Sequence, residues 1–213
     1  MHGLSLIAAL ILSVAASPVQ ACVPFQFVSA VAHGKVRTAG GVWADITMET
    51  DRSLVRIEYS SSKAPGGRFV IVGNVDKDWA YGFPANAATY SAAPLRVSMQ
   101  HLLVQAGLPA WAFAQQAYPN DPLRHFGGRS CRLTAMKADW PFRGEPGARV
   151  CAHDVWAPYA GGLPLFALDS HGRRVLEMSR VDLGLVRLDR FNPPRPLGGR
   201  QIVTARTAQT CSA

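Results

Sequence analysis

The chain has 213 residues, with 22 Lys or Arg against 14 Asp or Glu and a formal charge of +8. That length suits one domain able to bury a substantial core. The charges are scattered singly and form neither the clustered stripe nor the module that nucleic-acid binding uses, so no nucleic-acid partner is expected. A solvated face on each strand accounts for them, and attraction to anionic lipid head groups is the functional alternative.

Residues 1–21 carry no Lys, Arg, Asp or Glu and hold an apolar run from Leu4 to Ala16. The run is short for a bilayer span, and Val19-Gln20-Ala21 offers a cleavage site, so a signal peptide ending at Ala21 and an exported, periplasmic product beginning at Cys22 are expected. A lipid-modified Cys22, anchoring the chain to the outer membrane, is the lesser alternative. All four cysteines lie in that product, and an even count in an exported chain favours disulfides. The pairing Cys131–Cys151 with Cys22–Cys211 is preferred among the three possible. The first would close a loop of about 20 residues and constrain the unfolded chain by roughly 3 kcal/mol.

In chain order, FQFVSAVA at 25–32 is apolar enough for a strand or a short helix, and periodicity does not decide. GVWADITMET, SLVRIEYS, GRFVIVGNV and KDWAYGFP then read as four short strands, with turns at Thr50-Asp51-Arg52, Pro65-Gly66-Gly67 and Asn74-Val75-Asp76. Leu54, Arg56 and Glu58 alternate with Val55, Ile57 and Tyr59, which predicts a sheet wet on one side and apolar on the other. After Tyr90 the period changes. Leu95, Met99, Leu102 and Leu103 predict a helix from Pro94 to a stop at Gly107, and a shorter helix carrying Trp111 and Phe113 runs towards Pro119. Two helical segments between two runs of strands are the natural cover for an open apolar face. From Gly127 to Phe191, strand-like runs alternate with Gly-rich turns, a meander that holds Cys131 and Cys151 on neighbouring strands and ends at Asn192-Pro193-Pro194. The Pro/Gly-rich tail, 195–213, leaves only Gln201 to Arg206 able to form a late edge strand.

Several short motifs carry a resemblance. They are Arg56-Ile57-Glu58, Asp78-Trp79 with Tyr90 beyond, Gly127-Gly128 before Cys131, Val150-Cys151, Gly162-Leu163-Pro164-Leu165, and Asp189-Arg190-Phe191-Asn192-Pro193. Over most of residues 41–194 the chain resembles the periplasmic lipoprotein-carrier superfamily, the LolA/LolB-like fold, and its cysteine pair and long tail bring it nearer to the small secreted relatives than to the true carriers. The resemblance implies a mainly β fold with a helical insertion, an unclosed antiparallel half-barrel with an α-helical lid, spanning 22–194 as one domain. It implies a non-enzymatic carrier whose partners are the acyl chains of lipids or lipoproteins, with transient contacts to a membrane surface or envelope proteins. The alternative function is an envelope structural or interaction module with no exchangeable ligand. A monomer is expected.

An apolar groove is worth roughly 0.8 kcal/mol per acyl CH₂ taken from water. The candidates to line it and its lid are Trp43, Trp79, Tyr81, Phe83, Leu102, Leu103, Trp111, Phe113 and Trp156, for each of which ordinary core packing is the competing account. No catalytic residue, metal site or cofactor is expected. Cys151, His153 and Asp154 are adjacent, but an oxidised cysteine is no nucleophile. The histidines 33, 101, 125, 153 and 171 lack ligand spacing, and Asp76 and Asp78 suit a turn better than a glycosidase pair.

Overall fold

An extended backbone must pair its N–H and C=O groups, and here almost all of the pairing falls in one surface. The computed structural model describes residues 26–62, 64–74, 79–90, 99–113, 120–136, 145–153, 160–161, 163–184, 186–192 and 194–196. Among them ten strands build the main antiparallel sheet, in chain order: β1 (Gln26–Arg37), β2 (Trp43–Arg52), β3 (Leu54–Ser60), β4 (Arg68–Asn74), β5 (Trp79–Pro84), β6 (Leu123–Phe126), β7 (Arg129–Ala135), β8 (Arg149–His153), β9 (Pro164–Leu168) and β10 (Arg174–Leu183). Their spatial order is β5-β4-β3-β2-β1-β10-β9-β8-β7-β6, every neighbour antiparallel. The two-residue strand Ala160–Gly161 adds a short parallel pairing beside β1. The sheet does not close.

Two meanders of five strands thus meet at β1 and β10, which leaves β5 and β6 as the outer edges. The chain quits the sheet at one edge and re-enters at the other, and of the residues between them 99–113 lie across the apolar face. That crossing carries helix α1 (Met99–Gln105) and a 3₁₀ turn at Ala110–Phe113, where the sequence predicts helical segments; residues 94–98 and 114–119 lie outside the described residues. Gly107, at φ +71°, ends α1. Its N–H bonds to Val104 O and that of Leu108 to Leu103 O, both at 2.9 Å, the Schellman pattern that favours glycine.

The inner face follows the alternation read at 55–59. Val55, Ile57 and Tyr59 are buried with Ile46, Met48, Val36 and Met178 in one cluster that also takes in Met99, Leu103, Trp111 and Phe113 from the crossing. The cluster runs from Ile71 on β4 to Val150 on β8. Laid flat, those strands would stand roughly 29 Å apart at 4.8 Å per spacing, while α1 rises only about 10 Å. One cover can serve both only on a curled sheet, an open half-barrel.

One open reading is decided and two are revised. From Gln26 the apolar segment is a strand that runs on to Arg37, because β1 pairs on both sides. β2 continues through Asp51 to Arg52, so the turn falls at Arg52-Ser53. The side of β3 predicted to be wet is covered: Arg56 and Glu49 are buried, since the 3₁₀ turn Leu188–Phe191 lies against β3. Cys131 on β7 and Cys151 on β8 are joined, with 5.3 Å between Cα atoms. Residues 1–21, Cys22, Cys211 and Gln201–Arg206 lie outside the described residues.

At the centre, register shifts between His33 and Gly34 opposite β10, and the bulged Ser179 donates its hydroxyl to His33 O at 3.1 Å. A Cβ on Gly34 would stand 2.0 Å from Glu177 O. Gly34→Ala is expected to destabilise the fold by about 1–3 kcal/mol, as overpacking against backbone does, read as a lowered urea midpoint. A variant as stable as the parent would mean that the two central strands have room to separate.

The β9–β10 hairpin turns on Asp169, whose carboxylate accepts the N–H groups of His171 and Arg173 at 3.0 and 2.8 Å and Arg173 Nε at 2.7 Å. Burial pushes the acid upward, but the bonds from Arg173 and His171 and the Arg173 charge outweigh it and hold its pKa below the usual value. A depressed folded pKa contributes stability that is present above the unfolded value and lost as pH falls through the folded one. The stability gap between wild type and Asp169→Asn is therefore expected to narrow on acidification; a pH-independent gap in chemical denaturation would sever the turn from this linkage.

Candidate functional site

The hollow of the half-barrel is the strongest candidate for a site. Its cover touches both halves: α1 packs on β4 and β5, and the 3₁₀ turn at Ala110–Phe113 packs on β8 and β9. Leu103, Trp111 and Phe113 are buried in the inner cluster and Leu102 packs against its margin. Gly82 makes room for this contact, since a Cβ there would lie 2.7 Å from Phe69 Cε1 and 3.6 Å from Leu102 Cδ2. The elbow of the cover is tied to the β1–β2 turn by Ala39 N–H donating to Gly107 O at 2.7 Å.

Where that elbow meets the strand ends, a cleft of about 490 Å³ opens. Val104, Leu108, Trp111 and Val175 supply its apolar part, and Arg37, Glu145, Asp169, His171 and Arg173 its polar rim. Its volume falls in the usual range for a small-molecule cleft, while the lining is polar and apolar in about equal measure. Arg37 Nε is engaged by Gly41 O at 3.1 Å and Arg173 Nε by Asp169, so rim charges are fixed in place.

The structure divides the predicted groove residues between two faces. Leu102, Leu103, Trp111 and Phe113 belong to the cover. Phe83 and Tyr81 on β5 face outward, because they pair with Val70 and Val72, and Phe83 packs there with Phe191. Trp43 is 44% exposed and lines a separate outer groove of about 740 Å³ with His33, Lys35, Asp45 and Glu177. Trp79 lies on β5 with its side chain outside what is described, and Trp156 falls outside the described residues. The inner wall is instead Ile46, Met48, Ile57, Ile71, Val150, Leu163 and Met178, joined by Tyr59, a mainly aliphatic set that a search for aromatics largely passes over. Parity was the available signal: carried from β3 through β4 to β5, it places Ala80 and Gly82 inside and Tyr81 and Phe83 outside.

The outer face over β2–β5 is also built. Glu49 Oε1 accepts Arg56 Nη1 at 3.0 Å and Arg190 Nη2 at 2.6 Å; Glu58 accepts Arg56 at 2.7 Å and Arg68 at 3.0 Å. Among the described residues Glu49 Oε2 has no hydrogen-bond partner. With guanidinium groups flanking both carboxylates, this cluster neutralises charge and offers no vacant acid for proton transfer. Among the described residues no group of three His, Cys, Asp or Glu side chains is placed to hold a metal, and Cys151 is bonded to Cys131 beside His153 on β8. No family model matches the chain, and no curated protein is similar to it.

Glu49 is 2% exposed, and removing one charge from a buried pair strands the other, at a cost of about 3 kcal/mol or more. Glu49→Gln is expected to lose that much in urea unfolding, and Arg190→Ala, at the half-exposed end, about 1 kcal/mol. A loss within about 0.5 kcal/mol for Glu49→Gln, the size of a surface substitution, would show that the network does not hold the outer face.

Proposed function

We propose that this protein is a non-enzymatic periplasmic binding protein of the LolA/LolB-like kind, which holds the acyl chain of a lipid or lipoprotein in the hollow of its half-barrel. The observation that carries the reading is the cleft at the elbow of the cover, where Leu108 and Trp111 form an apolar entrance beneath a charged rim. That arrangement suits an amphiphile, whose chain enters and whose head group stays at Arg37, His171 and Arg173. The aliphatic inner wall supplies the rest of the site once residues 99–113 move aside.

Magnitudes set the ligand class. Displacing Leu103, Trp111 and Phe113 forfeits on the order of 6 kcal/mol at roughly 2 kcal/mol per large apolar side chain. An acyl chain regains about 0.8 kcal/mol per methylene. A chain must therefore bury on the order of eight methylenes before exchange is favourable. Long-chain acids and acyl lipids meet that requirement; short acids do not.

A second reading has its own support. Leu103 and Ala112 are wholly buried in a cluster continuous with the sheet, as in a cover that never leaves, and the protein would then be an envelope interaction module. Native mass spectrometry of protein purified gently from its host separates the two, because a bound lipid supports the carrier and a clean apo mass with a protein partner supports the module. In solution, a fluorescent long-chain fatty acid is expected to bind at micromolar concentration and a six-carbon analogue not to bind. Trp111→Ala should weaken uptake about tenfold or more. Since it also removes core packing of about 3 kcal/mol, Val104→Asp, at an exposed position of the same entrance, probes the site in a fully folded chain. Absence of uptake at any chain length would remove the carrier reading.

A further inference from the structure

We propose that Arg190 and Phe191 are positioning residues for the cover: the segment around Leu188–Phe191 acts as an outer strap whose docking sets how readily α1 leaves the hollow. This rests on the reading of residues 99–113 as displaceable. Phe191 is fully buried against Val70, Val72 and Phe83, with Leu54 and Val186 at the margin. Arg190 reaches across to Glu49 on β2. The strap therefore grips strands β2 to β5 from outside.

The same strands carry α1 on the inside. Between Val70 and Val72, Ile71 points inward to the core that holds Leu103; between Tyr81 and Phe83, Gly82 receives Phe69 and Leu102. Because side chains of a strand alternate between faces, the Phe191 socket and the seat of α1 are two sides of one hairpin. β5 is an edge strand, paired in the sheet with β4 alone. Its place depends on one ladder and on what packs against its faces, and edges with so little support are where local opening begins. Removing Phe191 withdraws the outer support of the surface on which α1 rests. Coupling of this kind is reciprocal: whatever undocks the strap favours the open cover, and a ligand that opens the cover loosens the strap.

The test uses hydrogen exchange on the full chain, with no ligand. In Phe191→Ala, amides of α1 and β5 are expected to exchange at least about tenfold faster than in wild type, while those of β8 and β9, which lie beyond the strap, keep their protection. Phe191→Leu should restore α1 protection, and Arg190→Ala should produce a smaller change of the same pattern. Should Phe191→Ala fail to fold, Arg190→Ala alone decides. Two results overturn the proposal: a strap that exchanges freely while α1 stays protected, or a uniform rise over β5, α1, β8 and β9 that follows the loss in Tm. Uptake of the fatty-acid probe is read separately. If wild type binds no probe, the carrier reading falls and the coupling stands on exchange alone. If uptake occurs but α1 is indifferent to the strap, the coupling falls and the carrier reading stands.

Discussion

The connection between the two edges of the sheet is the constraint from which the remaining features follow. β5 and β6 are the ends of an unclosed surface, and a chain that must pass from one to the other has either to skirt the rim or to cross a face. It crosses the apolar one, and its own apolar residues make the crossing favourable. The cover is thus no appended module: with the β1–β10 ladder, the Ala160–Gly161 pairing and the Leu188–Phe191 turn it links the two meanders, and it fills the hollow that the curl creates. A half-barrel left bare would expose Ile46, Met48, Ile57 and Ile71 together, a patch of the kind that binds or aggregates.

The opposite face shows why charged residues stand where packing alone would have sufficed. Glu49 and Arg56 are directly opposed across β2 and β3, and Glu58 follows two residues on. A one-residue slip of β3 would turn Arg56 and Glu58 into the apolar interior and strip Glu49 of its partner, and each unpaired buried charge costs several kcal/mol. The correct register instead pairs them, and the strap supplies Arg190 to the carboxylate that Arg56 already holds. The cluster contributes little net stability relative to apolar packing, but it discriminates strongly between the native register and its neighbours. The disulfide plays the corresponding part in the other half, since Cys131 and Cys151 stand on β7 and β8 and fix that pair covalently.

How much of this the sequence reveals depends on the range of the interaction. Alternation at 54–59 reports a local period and places the apolar side correctly; Gly107 ends a helix by local geometry, and both are legible. Alternation cannot tell whether the polar side meets water or another part of the chain, and here Phe191, more than a hundred residues along, covers it. Asp189-Arg190-Phe191 reads as the end of the sheet because nothing within ten residues shows its partner. Residue type alone places Tyr81 and Phe83 in the groove, whereas their parity on β5 sends them outward. For β1, an apolar segment of ambiguous period, only the strands on either side decide between helix and extended chain.

The two supports of the cover differ in kind, and that difference fixes where it can yield. The 3₁₀ turn with Trp111 and Phe113 rests on β8 and β9, interior strands of a half that also carries the Cys131–Cys151 bond. Helix α1 rests on β4 and on the edge strand β5, which noncovalent contacts alone hold. Between them lies the elbow Gly107-Leu108-Pro109, with Gly107 in the left-handed region and one bond, Ala39 to Gly107, anchoring it to the sheet. Opening therefore begins most cheaply as a swing of α1 about the elbow, and Trp111 and Phe113 give up their seats only after it. The apolar entrance is lined from both sides of that hinge, by Val104 on one and Trp111 on the other. A chain entering there meets the firmer wall first and displaces the weaker one before it.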